Sequence, residues 1–489
     1  MVKWSEFTAI DAETVSNFAR HVLIVFVSEL PGSYIFSASV EKKCLRLNKT
    51  LQQMLKVPFT VETEGGVLLS LVHIPAAQSV FQRQTLFRQA LTPLLKEGPD
   101  TLAICLYGEG VLADEAGIAA YVALLNQQDL PADKQEHHYQ PLTQIGFFGV
   151  RQPDHLAAIE AIVAGNTLCR QLTMLAPNRL TPEVYREKLR TAAIEHQWEY
   201  QAWDQAALRE MGAGAFVAVA QGSLPQDAAL VKLSYRHPDA KRTLALVGKG
   251  ICFDTGGHNL KSARYMQGMH QDMNGSAVAL GIMTAISQQQ LPIHVDCWLA
   301  LAQNHIGPQA YKQNDIVRAL NGTTIEVVHT DAEGRMVLAD TLTLASRAQP
   351  DVILDFATLT GSMQTALGSR MSGVIANRPA LAAAMVVAGD RSGERVVAFP
   401  YAEDYDAALE SQVADILQCT LDSDADHILA ARFLGKFIEA DIPWCHVDLS
   451  AYTHKDGLGA VSSEVNGFGV ALGLQWLHTY LQSPSTFDV

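Results

Sequence analysis

Apolar residues recur along this chain in two rhythms. In the first third, short apolar runs over His21–Val27, Gly66–His73, Thr101–Tyr107 and Gln144–Val150 predict strands. Between them, Gln78–Leu91 and Asp114–Leu125 repeat their apolar positions at helical spacing. Short runs alternating with longer amphipathic stretches predict an α/β layer. Later the runs are denser: Phe216–Gln221, Leu230–Tyr235, Thr243–Val247, His294–Leu301, Thr324–His329, Asp351–Ala357 and Cys445–Leu449. Unbroken stretches such as Leu244–Val247 suit strands covered by helices on both faces. Helices are predicted over Ser276–Gln288, Met336–Arg347, His427–Glu439 and Val470–Leu481.

One more helix, Leu156–Met174, runs into a segment with two prolines, Pro177 and Pro182. Thr181-Pro182 is a cap followed by a first-turn proline, so a new helix starts there. A boundary in this region divides the chain into an N-terminal α/β domain over 1–165 and a larger domain over 166–489. The length, 489 residues, suits two or three domains, each with its own core.

Composition narrows the class. Hydrophobic residues make up 48% and charged residues 18%, which excludes a disordered or low-complexity chain. The net charge of −15 argues against broad attraction to nucleic acid or anionic lipid. The seven cysteines form no C-x-x-C pair, and their apolar neighbours predict buried thiols rather than a disulfide framework or a zinc finger. The longest apolar run, near Ala380–Ala388, is about half of a membrane span. With no signal-type cleavage site after Met1, these features predict a cytoplasmic protein.

Three polar clusters stand next to predicted strand ends and helix starts, where open α/β sheets place ligands. The first is Gly248-Lys249-Gly250 through Asp254, Gly256-Gly257 and Lys261; its glycines have the spacing of neither a P-loop nor a dinucleotide fingerprint. The second is Met269 to Gly275 around Asp272, and the third is His329-Thr-Asp-Ala-Glu-Gly-Arg335. If the third is extended, Asp331 and Glu333 face one side. Each carboxylate alone reads as a cap or surface charge. Four converging in one cleft repel one another unless cations offset them, and two divalent ions carry +4 against −4. The spacing therefore favours a two-metal hydrolase over a structural acidic cleft.

These segments resemble the leucyl (cytosol) aminopeptidase family of dinuclear-metal exopeptidases. The resemblance rests on Thr330-Asp331-Ala332-Glu333-Gly334-Arg335 with Val337–Asp340, on Lys249 through Asp254 to Lys261, on Asp272-Met273, on Thr358–Gly361, and on the intervals between them. It covers the chain from about Leu175 onward, and the N-terminal third in architecture only. It implies a Rossmann-like, macro-type N-terminal domain, a mixed-sheet α/β/α catalytic domain, and a homohexamer acting on short peptides with a free N-terminus.

The resemblance also implies roles. Lys249, Asp254, Asp272 and Glu333 would hold one metal; Asp254, Asp331 and Glu333 the other. Zinc is expected in at least one site, with manganese, magnesium or cobalt in the exchangeable one. Lys249 would ligate as a neutral amine. Lys261 would stabilise the oxyanion, Arg335 would hold a bicarbonate acting as general base, and Asp272 would receive the substrate amine. Met269, Thr358, Leu359 and Gly361 would receive the first residue of the substrate, and a Met-lined pocket suits apolar side chains such as leucine.

The chain departs from the family pattern at His258, Asn274 and His329, and at Val465-Asn-Gly-Phe-Gly469. None of these removes a metal residue. The rivals are a regulatory or binding protein on a peptidase scaffold, and another two-metal hydrolase such as a phosphoesterase.

Overall fold

The computed structural model describes residues 2–109, 112–135 and 139–482. The described strands are β1 Lys3–Phe7, β2 His21–Val27, β3 Phe59–Glu62, β4 Leu68–Ile74, β5 Thr101–Gly108, β6 Gln144–Phe148, β7 Glu199–Asp204, β8 Ala229–Tyr235, β9 Thr243–Asp254, β10 His294–Asn304, β11 Ile316–Arg318, β12 Thr324–Glu326, β13 Val352–Ala357, β14 Ser372–Ala376, β15 Val396–Ala398, β16 Ile416–Leu417 and β17 Trp444–Asp448. They form a six-stranded, an eight-stranded and a three-stranded sheet, with helices between them. The fold is α/β, as predicted.

The chain divides into two compact units. The first contains Met1–Val163, Asp390–Gly393 and His454–Asn466; the second holds the remainder. A contiguous split at residue 165 therefore misses two later segments that belong to the first unit. The sheet of this unit runs β1-β6-β5-β2-β4-β3, parallel except for β3 at one edge. Alternate residues of β2 enter different cores. Leu23, Val25 and Val27 pack with the helices Val80–Leu95 and Leu112–Asn126, whereas Val22, Ile24 and Phe26 pack with Val15, Val40 and Cys44. Coverage on both faces explains why this strand has no polar alternation. Ala460 and Val461, from the returning segment, sit in the first of these cores. Asn126 Nδ2 donates to Ala460 O at 2.8 Å, and Arg88 Nε to Gly459 O at 2.9 Å.

The eight-stranded sheet of the second unit runs β15-β14-β17-β13-β9-β10-β8-β7. Its four central strands, β17, β13, β9 and β10, are parallel, so their carboxyl ends share one edge. The helix Asn274–Gln288 packs against β9, and the helices Gly214–Ala220 and Glu333–Arg347 share a buried core with Ala245 and Val247 of β9. No helix among the described residues is long and apolar enough to cross a membrane. All seven cysteines are buried and unbridged.

Two predicted elements differ. Phe216–Gln221 is a helix, not a strand. Its run, Ala215-Phe-Val-Ala-Val-Ala220, is buried all round, so periodicity carries no signal, and its alanines favour the helix. Phe216 N at its first turn donates to Asp340 Oδ2 at 2.8 Å. Thr324–His329 is strand only as far as Glu326; the rest is an irregular lead into Asp331.

A carboxylate and lysine cluster in the candidate metal centre

β9 runs six residues beyond the register partner of Phe356 in β13, so Lys249–Asp254 overhang β13 while still pairing with β10 on the other side, up to Asn304 opposite Asp254. Lys249 and Asp254 lie on this overhang, and both are buried. Past Asp254 the chain turns through Gly256 and Gly257, at φ 86° and 64°, a region that side chains with a Cβ disfavour. This turn brings Lys261 back over the strand end, and Lys261 Nζ lies 2.8 Å from Asp254 Oδ2 and 2.6 Å from Asp331 Oδ1.

The helix Glu333–Arg347 begins at Glu333 itself, so Asp331 and Glu333 are not alternate residues of an extended segment. Asp331 lies in the preceding turn and Glu333 in the first helical turn, and both still face the pocket. Gly334 makes room for the cluster: a Cβ there would meet Lys249 Cε and Nζ at 2.7 Å. Lys249 Nζ bridges Asp272 Oδ2 at 2.8 Å and Glu333 Oε1 at 2.9 Å, and donates to the carbonyl of Thr358 at 3.0 Å.

All eleven predicted site residues line one pocket of about 440 Å³: Lys249, Asp254, Lys261, Met269, Asp272, Asp331, Glu333, Arg335, Thr358, Leu359 and Gly361. His329 lines it too, its Nδ1 accepting from Asp331 N at 3.3 Å. His258 is exposed. Asn274 is buried outside the pocket lining, its amide donating to Thr173 Oγ1 at 3.0 Å.

Supporting residues not foreseen from the sequence complete the site. Asn304, at the end of β10, donates to Asp254 Oδ1 at 2.8 Å and to the Thr330 carbonyl at 3.0 Å. Thr358 Oγ1 donates to Asp272 Oδ1 at 2.7 Å, so it orients a carboxylate besides lining the wall. Asp448, ending β17, accepts from Thr360 Oγ1 at 2.6 Å and from the Leu359 N–H at 3.1 Å. Arg335 is buried and its Nη2 donates to both oxygens of Asp426, at 2.8 and 3.0 Å. The guanidinium expected to hold a bicarbonate thus carries a carboxylate of this chain. A strand-end position was the one available signal for Asn304 and Asp448; Asp426 lies in an acidic stretch, Asp422–Asp426, that does not single it out.

The electrostatics follow from burial. Desolvation disfavours the ammonium of Lys249, but Asp272, Glu333 and Asp254 more than offset it and hold its pKa above the ordinary lysine value. Lys261 is raised the same way, by Asp254, Glu333 and Asp331 acting against burial. Burial and neighbouring carboxylates raise Asp254 and Asp272 and push Asp331 up to about 7. Glu333 is lowered: burial works against its charge, but the two lysines outweigh it.

Two ammonium groups therefore face four carboxylates. Oxygens of Asp254, Asp272 and Glu333 lie within 4.8 Å of one another, and buried Glu333 Oε2 has no hydrogen-bond partner. This surplus of oxygen donors and negative charge in a buried pocket fits divalent cations.

The model of the catalytic domain of the cytosol aminopeptidase family matches residues 167–473. A probable cytosol aminopeptidase of Roseiflexus castenholzii is 40% identical over 327 residues, 66% of each chain, so the match spans just under two thirds of that relative. Another, from Streptomyces griseus, is 34% identical over 466 residues, 88% of this chain and 90% of the relative. The structure of the bottromycin maturation enzyme BotP in complex with manganese superposes with a TM-score of 0.83 at 29% identity, covering 94% of this chain and 99% of that one. A catalytic-domain match over more than half of the chain, on the segment that carries the cluster, places this protein in the cytosol aminopeptidase family.

Proposed function

We propose that this protein is a metal-dependent aminopeptidase that hydrolyses the N-terminal peptide bond of short peptides. The observation that carries this reading is the buried cluster of four carboxylates and two lysines at the edge of the central sheet, within the segment matching the family's catalytic domain. Catalysis is assigned to residues 166–489.

Two divalent ions, zinc or manganese, would be held by Lys249, Asp254, Asp272, Asp331 and Glu333, with Asp254 and Glu333 shared; a manganese complex of BotP supports the choice of ion. Bound there, such ions supply Lewis acidity at the scissile carbonyl and a nucleophilic water at neutral pH. Lysine ligates only when neutral, so Lys249 must give up its proton on loading. Asp272, oriented by Thr358, receives the free α-amine of the substrate. Lys261, the cation at the mouth of the cluster, stabilises negative charge developing on the carbonyl oxygen. Met269, Thr358, Leu359 and Gly361 form the wall for the first side chain, and the thioether of Met269 favours leucine or another apolar residue. The same reading includes the homohexamer and the cytoplasmic location that the family resemblance implies.

The test is release of amino acids from a leucyl dipeptide after chelation and after return of zinc or manganese. Activity should vanish and then recover. Full activity in protein shown by elemental analysis to be metal-free would overturn the reading.

A further inference from the structure

Resting on that reading, we propose that Asp426 is the general base of the reaction, an anion built into the chain where an exogenous bicarbonate was expected. Arg335 is 2% exposed, and a buried guanidinium needs an anion beside it. Asp426 supplies it, with both carboxylate oxygens accepting from Nη2, while Nη1 donates to the Gln418 carbonyl at 3.2 Å. A bicarbonate on Arg335 Nη2 would compete for the same N–H groups.

The other carboxylates of the pocket are engaged. Asp254, Asp272, Asp331 and Glu333 are paired with Lys249 or Lys261. Asp448 is 1% exposed and accepts from the Thr360 hydroxyl and two backbone N–H groups. Asp422 stands exposed at the rim. Asp426 lines the same pocket and keeps 21% of its side chain exposed, so it is fixed by Arg335 yet open to the cavity.

In the step, the Asp426 carboxylate takes a proton from the attacking water as its oxygen bonds the scissile carbonyl carbon. It returns that proton to the departing nitrogen as the C–N bond breaks. The carboxylate is regenerated, and water is divided between the released amino acid and the shortened peptide.

The test has a binding arm and a kinetic arm. In metal-free protein, titration with formate and with 13C-labelled bicarbonate should show binding to Asp426→Gly and none to the wild type. In the metal-loaded enzyme, wild-type kcat should be the same with and without bicarbonate. Asp426→Asn and Asp426→Gly should each lose about 100-fold or more in kcat, with KM changed far less. Bicarbonate should recover part of the loss in Asp426→Gly but not in Asp426→Asn, whose amide still fills the space. Near-normal kcat in Asp426→Asn, a soluble isosteric change, would overturn the proposal, as would several-fold stimulation of the wild type by bicarbonate. A wild type inactive with every ion would overturn the aminopeptidase reading instead, and the binding arm would still report whether Asp426 occupies Arg335.

Discussion

Loading the metal-free protein with zinc or manganese should expel protons. Lys249 lies between Asp272 and Glu333, which hold its pKa above the ordinary lysine value despite burial, so it is charged at neutral pH. If it becomes a ligand it releases one proton. Asp331, pushed up to about 7, holds about half a proton at pH 7, about 0.9 at pH 6 and about 0.1 at pH 8. These two groups give about 1.9 protons at pH 6, about 1.5 at pH 7 and about 1.1 at pH 8. Asp254 and Asp272 are also raised, so these values are minima. The sign follows: protons occupy the metal-free site and compete with cations, so affinity rises with pH, most steeply below about 7. Calorimetric titration in buffers of different ionisation enthalpy, at pH 6.5 and 8, counts the released protons. Release near zero at pH 8 would remove Lys249 from the ligand set. Equal release at the two pH values would remove Asp331.

Asp254→Asn and Glu333→Gln should each lower bound metal below two per chain and abolish nearly all activity; elemental analysis finding two ions in either variant contradicts the shared-ligand role. Lys261→Ala should keep its metals and lose about 100- to 1000-fold in kcat with a smaller change in KM, so near-normal turnover would reduce Lys261 to charge balance. N-acetylation of a leucyl dipeptide should stop its cleavage, and efficient hydrolysis of the blocked peptide, followed by chromatography, would count against amine recognition by Asp272. Asp340→Ala should cost about 2–5 kcal/mol in urea unfolding, because it orphans the buried N–H of Phe216 and the half-buried N–H of Leu320, each held at 2.8 Å; an unchanged midpoint would show that solvent replaces those bonds.

The central strands were legible in the sequence because burial on both faces leaves long apolar runs, as in β2, β9 and β13. Edge strands such as β3 and β7 were not, since their mixed exposure and short length resemble loops. The Phe216 run failed for the opposite reason: an element apolar on every side has no period to read. Lys249, Asp254, Asp272, Asp331 and Glu333, which line one pocket, could be picked out because they belong to dense local motifs. Asn304 acts on Asp254, Asp426 on Arg335 and Asp448 on Leu359 from 50 to 91 residues away in sequence, and nothing beside them announces the partner. Reading the third motif as extended reached two pocket-lining residues by the wrong geometry, because a turn followed by a helix start also turns both carboxylates inward.

The returning segments of the first unit bear on the order in which the chain can be built. Ala460 and Val461 belong to its core, and Asn126 and Arg88 bond to carbonyls at 460 and 459. During synthesis, that unit waits for nearly the whole polypeptide before its last core positions are filled. A fragment ending at residue 163 lacks those side chains and leaves their neighbours facing water. The amino-terminal unit is therefore not a cassette that can be cut out at the linker and grafted elsewhere; a transplantable version must carry a 454–466 segment joined back to it.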